Sequence, residues 1–498
     1  MQQQAHGSRN ARGALRRVGT GLLAAAALAV LSATTQAGAV PRSGQRATAA
    51  AAGSLDWPAY LRDAVHSSAI FTDPAVTTSN AASLTRRWQF LADAATKSGQ
   101  PARRFDASPT VVAGRVYIGS RTGIFYVLDA TTGAVVWRKQ LDFGTTVDCA
   151  PKGILGTATV AKDPVDGVLT VYVPGAHYLY ALNAATGAQR WRRAVGPATA
   201  AATDTYENWS SPTVAGGRVF MGMTSKCDTN LIRGGVVSVN QHTGALQHTW
   251  YDVAAGHVGG SVWASMASDG TNVWVPTGNP DPSGTTLDDT YSIVRLAAAT
   301  LVKQDAFQVR SPQGADLDFG SSPSLFTATV GGVSTQMVAA CNKNGVFYAL
   351  RRMSLAAGPV WSRQVGDVGG THNGACLPSP AVDSHLGRLF VASNSTTIGG
   401  VAVAGGLRAL SPATGAVLWE RALPCLPNGT PTVNGQVVAV SMYSCPTGTS
   451  PSVRLFAESD GHPLGSLPAS APVFAQPVFA SGRVFVAAED GTLTAYGP

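Results

Sequence analysis

The stretch "GRVYIGSRTGIFYVLDATTGAVVW" (residues 114–137) recurs along the chain. It returns as "LTVYVPGAHYLYALNAATGAQRW" (169–191), "GGVVSVNQHTGALQHTW" (234–250), "GVFYALRRMSLAAGPVW" (345–361) and "GGLRALSPATGAVLW" (405–419). Alternation of apolar and polar residues gives the period of a β-strand, and the x-T-G turn supplies a glycine able to take positive φ. Each unit reads as four short strands: an "SPTV"-like strand, a "GRVYIGS" strand, a "YALN"-type strand and a last strand ending in Trp. Trp137, Trp191, Trp250, Trp361 and Trp419 are then repeated docking residues between neighbouring sheets, as a repeated element requires.

The units fall near 108–141, 157–196, 210–253, 270–307, 321–366, 378–424 and 429–468, with an incomplete one at 475–498. The last lacks its final strand, and "LTRRWQF" (84–90) offers one at the other end of the chain. A ring closed in this way solves the exposed-edge problem if the first strand completes the last sheet. The expectation is an all-β, eight-bladed propeller of four-stranded antiparallel blades over 55–498, closed by its amino-terminal strand.

Ahead of the repeats, Arg9, Arg12, Arg16 and Arg17 precede the apolar run "GLLAAAALAVLSA" and the small residues "TTQAGAV". That order predicts a secretory signal peptide over 1–39, cleaved after Ala37 or Ala39, then a disordered Ala/Ser-rich spacer over 40–54. The run is too short for a comfortable membrane span. The chain has 36 Lys and Arg against 28 Asp and Glu, a net charge of +8. Six of the arginines lie in the first 46 residues, so the mature part is nearly neutral and a nucleic-acid partner is excluded. All six Cys (149, 227, 341, 376, 425 and 445) fall in the mature part, an even count that suits up to three disulfides in an exported protein. Sequential pairing, such as Cys425 with Cys445, is expected.

The "YALNAATG…W" unit resembles the repeats of the pyrroloquinoline quinone (PQQ) propellers, the superfamily of the quinoprotein alcohol dehydrogenases, which also contains non-enzymatic scaffolds. The entry "DWPAYLRDAVHSSAI…LTRRW" (56–88) looks like that of the dehydrogenase branch. The resemblance implies an aromatic floor for the quinone at Trp263 in "GGSVWASM" and a calcium ligand at Asn279 in "VPTGNP". It implies a base at Asp288 or Asp289 in "LDDTYSIVRL", Asp288 also reaching the metal. It further implies a cation on the quinone oxygens at Lys343 in "CNKNGVFYAL". Amide and carboxylate oxygens suit a hard cation such as Ca²⁺. "GADLDFGSSP" (314–323) resembles an Asp-rich blade entry, in which Asp316 and Asp318 are structural.

Two positions depart from the pattern. Where the branch carries adjacent cysteines before a basic residue, "TTVDCAPKGILG" has only Cys149, with Lys152 in the basic place. Where it carries a second metal ligand, normally Glu, "MTSKCDTNLIRGG" offers the shorter Asp228. His372 is the most site-like histidine. Each residue also has a purely structural alternative: Trp263 packing in a blade, Asn279 an Asx-turn, the aspartates solvated, Lys343 a hairpin tip. Without Cys-x-x-Cys-His there is no attached haem, so an active enzyme needs an external electron acceptor. The sequence thus supports an exported PQQ- and calcium-dependent alcohol dehydrogenase acting on a small or polymeric alcohol. Its alternative is a non-enzymatic propeller binding a protein or a cell-envelope glycan.

Overall fold

The structure is a computed structural model that describes residues 55–71, 73–97, 100–144, 152–196, 204–228, 231–282, 287–310, 316–367 and 374–498. The expected signal peptide and spacer, Cys149 and His372 lie outside these residues. Among the described residues, no helix is long and apolar enough to cross a membrane.

The described strands form eight antiparallel sheets, at 110–140, 159–194, 206–251, 267–308, 324–364, 381–423, 432–468 and 478–497, taken below as the first to eighth blades. The amino-terminal strand Thr85–Leu91 completes the eighth, pairing from Thr85 with Gly497 to Leu91 with Thr492. The expected closure is therefore present. In the third blade the inner strand comes in two pieces, Tyr206–Glu207 and Thr213–Ala215, both paired to Arg218–Ser225.

Why the last strand of a unit ends in Trp is visible in the packing. The Trp137 indole Nε1 donates to the Ala184 carbonyl of the next blade at 3.1 Å. Its ring lies on Gly187, where a Cβ would come within 2.8 Å of it. The same dock joins Trp88 to Ala130 and Gly133, Trp191 to Gln241 and Gly244, Trp361 to Pro412 and Gly415, and Trp419 to Glu458 and Gly461. The turn glycine therefore serves twice, supplying positive φ and leaving room for an indole. A one-residue register shift occurs where each outer strand pairs with its neighbour, a bulge that twists the edge beside the docking position.

The inner strands are tied by hydroxyls. The Ser108 N–H donates to Thr157 Oγ1, and the pattern runs on through Ser211, Ser265, Ser322 and Ser379 to Thr430. Gln476 N–H donates to Ser108 Oγ at 2.9 Å, adding a seventh link. At the eighth blade the Gln476 carboxamide turns to the entry segment, accepting from Leu61 N–H and donating to Ser68 Oγ. That segment laces the inner strands together. The carbonyls of Trp57, Pro58, Ala64, Val65, Ser67 and Ser68 accept from N–H groups of the first, second, fourth, fifth, sixth and seventh blades. Trp57, Leu61, Ala69 and Ile70 are fully buried in the process.

Two of the three expected disulfides, Cys341–Cys376 and Cys425–Cys445, lie wholly within described residues. Cys227 is also disulfide-bonded.

Two outcomes are expected from this packing. Gly415→Ala drives a Cβ to 2.4 Å from the Trp361 ring at a φ of +68°, and its cost is about 2 kcal/mol in urea unfolding. The second concerns Glu458, fully buried against Asp383 with its Oε1 accepting from Asn434 and Gly435 N–H. Burial, reinforced by Asp383, pushes its carboxyl from 4.5 up to about 9. The folded state therefore holds a proton that the unfolded chain releases. The associated stability is complete below the unfolded value and is lost as pH rises towards 9. Glu458→Gln should flatten that fall in a series of unfolding midpoints against pH.

Candidate functional site

In each blade the loop between the second and third strands opens at the same end as the connection to the next blade, because consecutive strands alternate in direction. Trp263, Asp316, Asp318 and Lys152 lie on inter-blade connections, and Asn279, Asp288, Asp289, Cys227 and Lys343 on second-to-third-strand loops. All therefore belong to one face.

Lys343 is set by its loop. Gly345 N–H donates to the Asn342 carbonyl at φ +82°, and Ala375 N–H, beside the Cys341–Cys376 bridge, donates to the Lys343 carbonyl. Gly374 lets the side chain pass, since a Cβ there would meet Lys343 Cγ at 2.5 Å. The ammonium reaches Asp318 Oδ1 at 2.7 Å and Asp316 Oδ1 at 2.8 Å, and sits 5.1 Å from the centroid of the Trp263 ring. The Trp263 indole donates to Asp318 Oδ2 at 2.5 Å. Its ring lies over Gly320, where a Cβ would come within 2.7 Å. Asn279 Nδ2 donates to Asp316 Oδ1 at 2.9 Å, while Asn279 Oδ1 is buried with no hydrogen-bond partner among the described residues. Trp263, Asn279 and Lys343 therefore meet, and Asp316 and Asp318 join them.

The electrostatics divide the two aspartates. Burial raises the Asp318 carboxyl against the pull of Lys343. At Asp316 burial also works upward, but Lys343 outweighs it and holds the carboxyl below its ordinary range. Burial would lower the Lys343 ammonium, and the two carboxylates raise it instead. The Asp316 side chain is 38% exposed and that of Asp318 only 3%. Asp316 is thus the ionised carboxylate that faces outward.

A second group repeats the arrangement. Lys152 contacts Glu207 Oε1 at 3.1 Å and sits 4.9 Å from the Trp209 ring centroid, and the Trp209 indole donates to the same Glu207 oxygen at 2.6 Å. Lys152 Nζ also lies 3.1 Å from Cys227 Sγ, and Cys227 N–H donates to Glu207. Glu207 Oε2 is buried without a partner among the described residues. The two indoles meet edge-on, 6.5 Å between centroids, and line with Phe474 and Tyr60 a channel cavity of about 80 Å³.

The other expected residues lie elsewhere on this face. Asp288, at φ +47°, accepts from Ala254 N–H and contacts His257 Nδ1 at 2.8 Å. Asp289 pairs with Lys303 on the outermost strand of the fourth blade at 2.5 Å. Gln308 of that strand donates to the Asp288 carbonyl. The pair is bound to the outer strand, and none of these partners belongs to the Trp263–Lys343 group. Asp228 ends the short turn Lys226–Asp228. A Glu carboxylate beside Lys152, that of Glu207, comes from the inner strand of the third blade. Asp316 and Asp318 were legible only as an Asp-rich entry, whereas Glu207 and Trp209 were missed. Their one signal was "YENW" standing where other units carry a plain strand lead-in.

The arrangement suits a planar anionic group with a hard cation. It offers a half-exposed indole, two lysines, and buried amide and carboxylate oxygens without hydrogen-bond partners among the described residues.

No curated protein matches the chain. Among solved structures, it is similar to the quinohemoprotein alcohol dehydrogenase of Comamonas testosteroni, at TM-score 0.70 and 18% identity over 89% of this chain and 81% of that one. A europium-containing methanol dehydrogenase aligns at TM-score 0.70 and 15% identity, over 87% and 89%. BamB from Moraxella catarrhalis aligns at 0.53 and 15%, over 83% and 100%. These likenesses carry the fold alone. The family model for outer membrane protein assembly factor BamB matches residues 403–497. Residues 57–356, more than half of the chain, match the glucose/ethanol/alcohol dehydrogenase β-propeller model, and the chain belongs to that family.

Proposed function

We propose that this chain is an exported PQQ-dependent dehydrogenase oxidising an alcohol, with the quinone seated on Trp263. The observation that carries this reading is the convergence of Trp263, Asn279, Asp316, Asp318 and Lys343 in one group. When bound, the quinone supplies the hydride acceptor and Ca²⁺ polarises its carbonyl. The chain's own residues do the rest. Trp263 gives a flat apolar face, fixed in plane by its bond to Asp318. Asn279 Oδ1 and Asp316 offer oxygens to the cation. Lys343 places a positive charge beside the ring. Asp316, ionised and outward-facing, accepts the alcohol proton. Buried Asp318 positions Trp263 and Lys343.

Export is supported by the basic, apolar and small-residue order of 1–39 together with the disulfides. The electron acceptor is external in this reading.

Reconstitution of the purified protein with PQQ and Ca²⁺, followed by quinone absorbance and alcohol-dependent dye reduction, tests it. Asn279→Ala is expected to weaken calcium-dependent quinone binding by about tenfold or more. Asp316→Asn should lower dye reduction at saturating quinone and calcium by at least ~100-fold, a loss beyond any weakening of binding. Absence of binding at micromolar quinone removes the enzyme reading. Full activity in Asp316→Asn removes the base assignment alone.

A further inference from the structure

Beside the outer strands of the sixth and seventh blades lies a groove of about 560 Å³, a size ordinary for small-ligand sites. Ala404 of the third strand and Leu423 and Pro424 at the end of the outer strand wall it on the sixth blade. Phe456 and Pro463 wall it on the seventh. Among the described residues, Arg454 is the only polar side chain in the lining.

The groove exists because two rings that fill the corresponding space elsewhere are missing. Arg454 stands on the third strand Ser452–Ala457, one step ahead of the register shift at Leu455/Phe456. At that step the first and fifth blades carry Tyr126 and Tyr348. These pack on Phe90 and Phe307 of the preceding blade's outer strand, each pair 5.1 Å between centroids. Phe90 stands two residues after Trp88; two residues after Trp419 the sixth blade has Arg421, whose guanidinium turns to the Gly461 and Asp460 carbonyls.

The sixth blade also has an arginine at this step, Arg408, and there the guanidinium is engaged on every side. Its Nε pairs with Glu420, and its terminal nitrogens donate to the Val365 and Thr397 carbonyls and to Thr396 Oγ1. Arg454 makes no side-chain hydrogen bond or ion pair among the described residues, and its Nε is buried. A guanidinium shielded from water along one edge is best satisfied by a carboxylate, which accepts two N–H bonds at once. The rest of the lining specifies the body of that ligand. A peptide brings an N–H and a carbonyl with every residue, and these apolar side chains pair with neither. An unbranched acyl chain carries its polar group at one end only, and so matches a lining with a single polar side chain.

We propose that this groove binds an aliphatic carboxylate of the fatty-acid class, its head on Arg454 and its chain along Leu423, Phe456 and Pro463. The site is separate from the Trp263–Lys343 group and does not rest on the quinone reading.

The test is isothermal titration calorimetry of the purified protein with sodium dodecanoate, below micelle formation and with no quinone present. One dodecanoate per chain is expected, and Arg454→Gln should weaken it at least about tenfold. Dodecyltrimethylammonium, with the same chain and the opposite charge, should bind the wild-type protein at least about tenfold more weakly than dodecanoate. Should Arg454→Gln not fold, Ala422→Trp, at an exposed position of the lining, keeps the arginine and fills the groove, and is expected to weaken dodecanoate to the same degree. Absence of dodecanoate binding, many equivalent ions per chain, equal binding of the cationic surfactant, or unchanged affinity in either variant overturns the proposal.

Discussion

An indole laid across the glycine of the next blade's turn is the contact on which the ring depends. A four-stranded sheet cannot bury both faces alone, so each blade needs a neighbour at a fixed distance. The Trp–Gly dock sets that distance from the outside, and the Ser/Thr chain sets it from the inside. The closing blade shows what the dock requires. Its third and fourth strands come from opposite ends of the chain, so no turn joins them to receive a neighbour's Trp. There the outer strand Pro463–Pro468 of the seventh blade meets the short turn Ala81–Ser83 instead, with Gly465 approaching Ala82.

The dock also lapses on both sides of the fourth blade. Trp250 faces a turn carrying Leu301 at φ +55° in place of glycine. The fourth blade's own outer strand carries Phe307, which packs on Tyr348. Asp305 on that strand caps the short helix Leu355–Ala357 by accepting from Leu355 and Ala356 N–H. The same blade presents Asn279, and its two flanking connections present Trp263 and the Asp316–Asp318 pair. Departure from the repeat and concentration of polar side chains coincide, as expected where a local rule yields to a site.

The sequence made the ring legible because the dock repeats, and made Trp263, Asn279 and Lys343 legible because each sits in a short stretch tied to a blade boundary. It could not say which way the loop after Asn279 runs. Asp288 and Asp289 follow the same strand end, yet a left-handed backbone at Asp288 and the bonds to Lys303 and Gln308 fasten them to the outer strand. Asp316 and Asp318, two residues apart, reach the same Lys343 ammonium, as side chains on one side of an extended segment do, yet one is 38% and the other 3% exposed, a difference no sequence pattern carries. Glu207 and Trp209 had only the irregular "YENW" to mark them. They come from a break in the inner strand of the third blade, which no periodicity announces.

Charge then links the two indole groups to the need for a cation. Lys152 is matched by Glu207, and Lys343 is shared between Asp316 and Asp318. The lysines that would attract an anionic ring are thus already balanced, and the Lys343 group carries one carboxylate in excess. An anionic ligand alone would add to that excess in a partly desolvated site, where like charges cost most. A divalent ion beside Asn279 Oδ1 and Asp316 reverses the sign. On the proposed reading the metal is thus the condition for seating the quinone, and Lys343 orients a ring that the cation makes admissible.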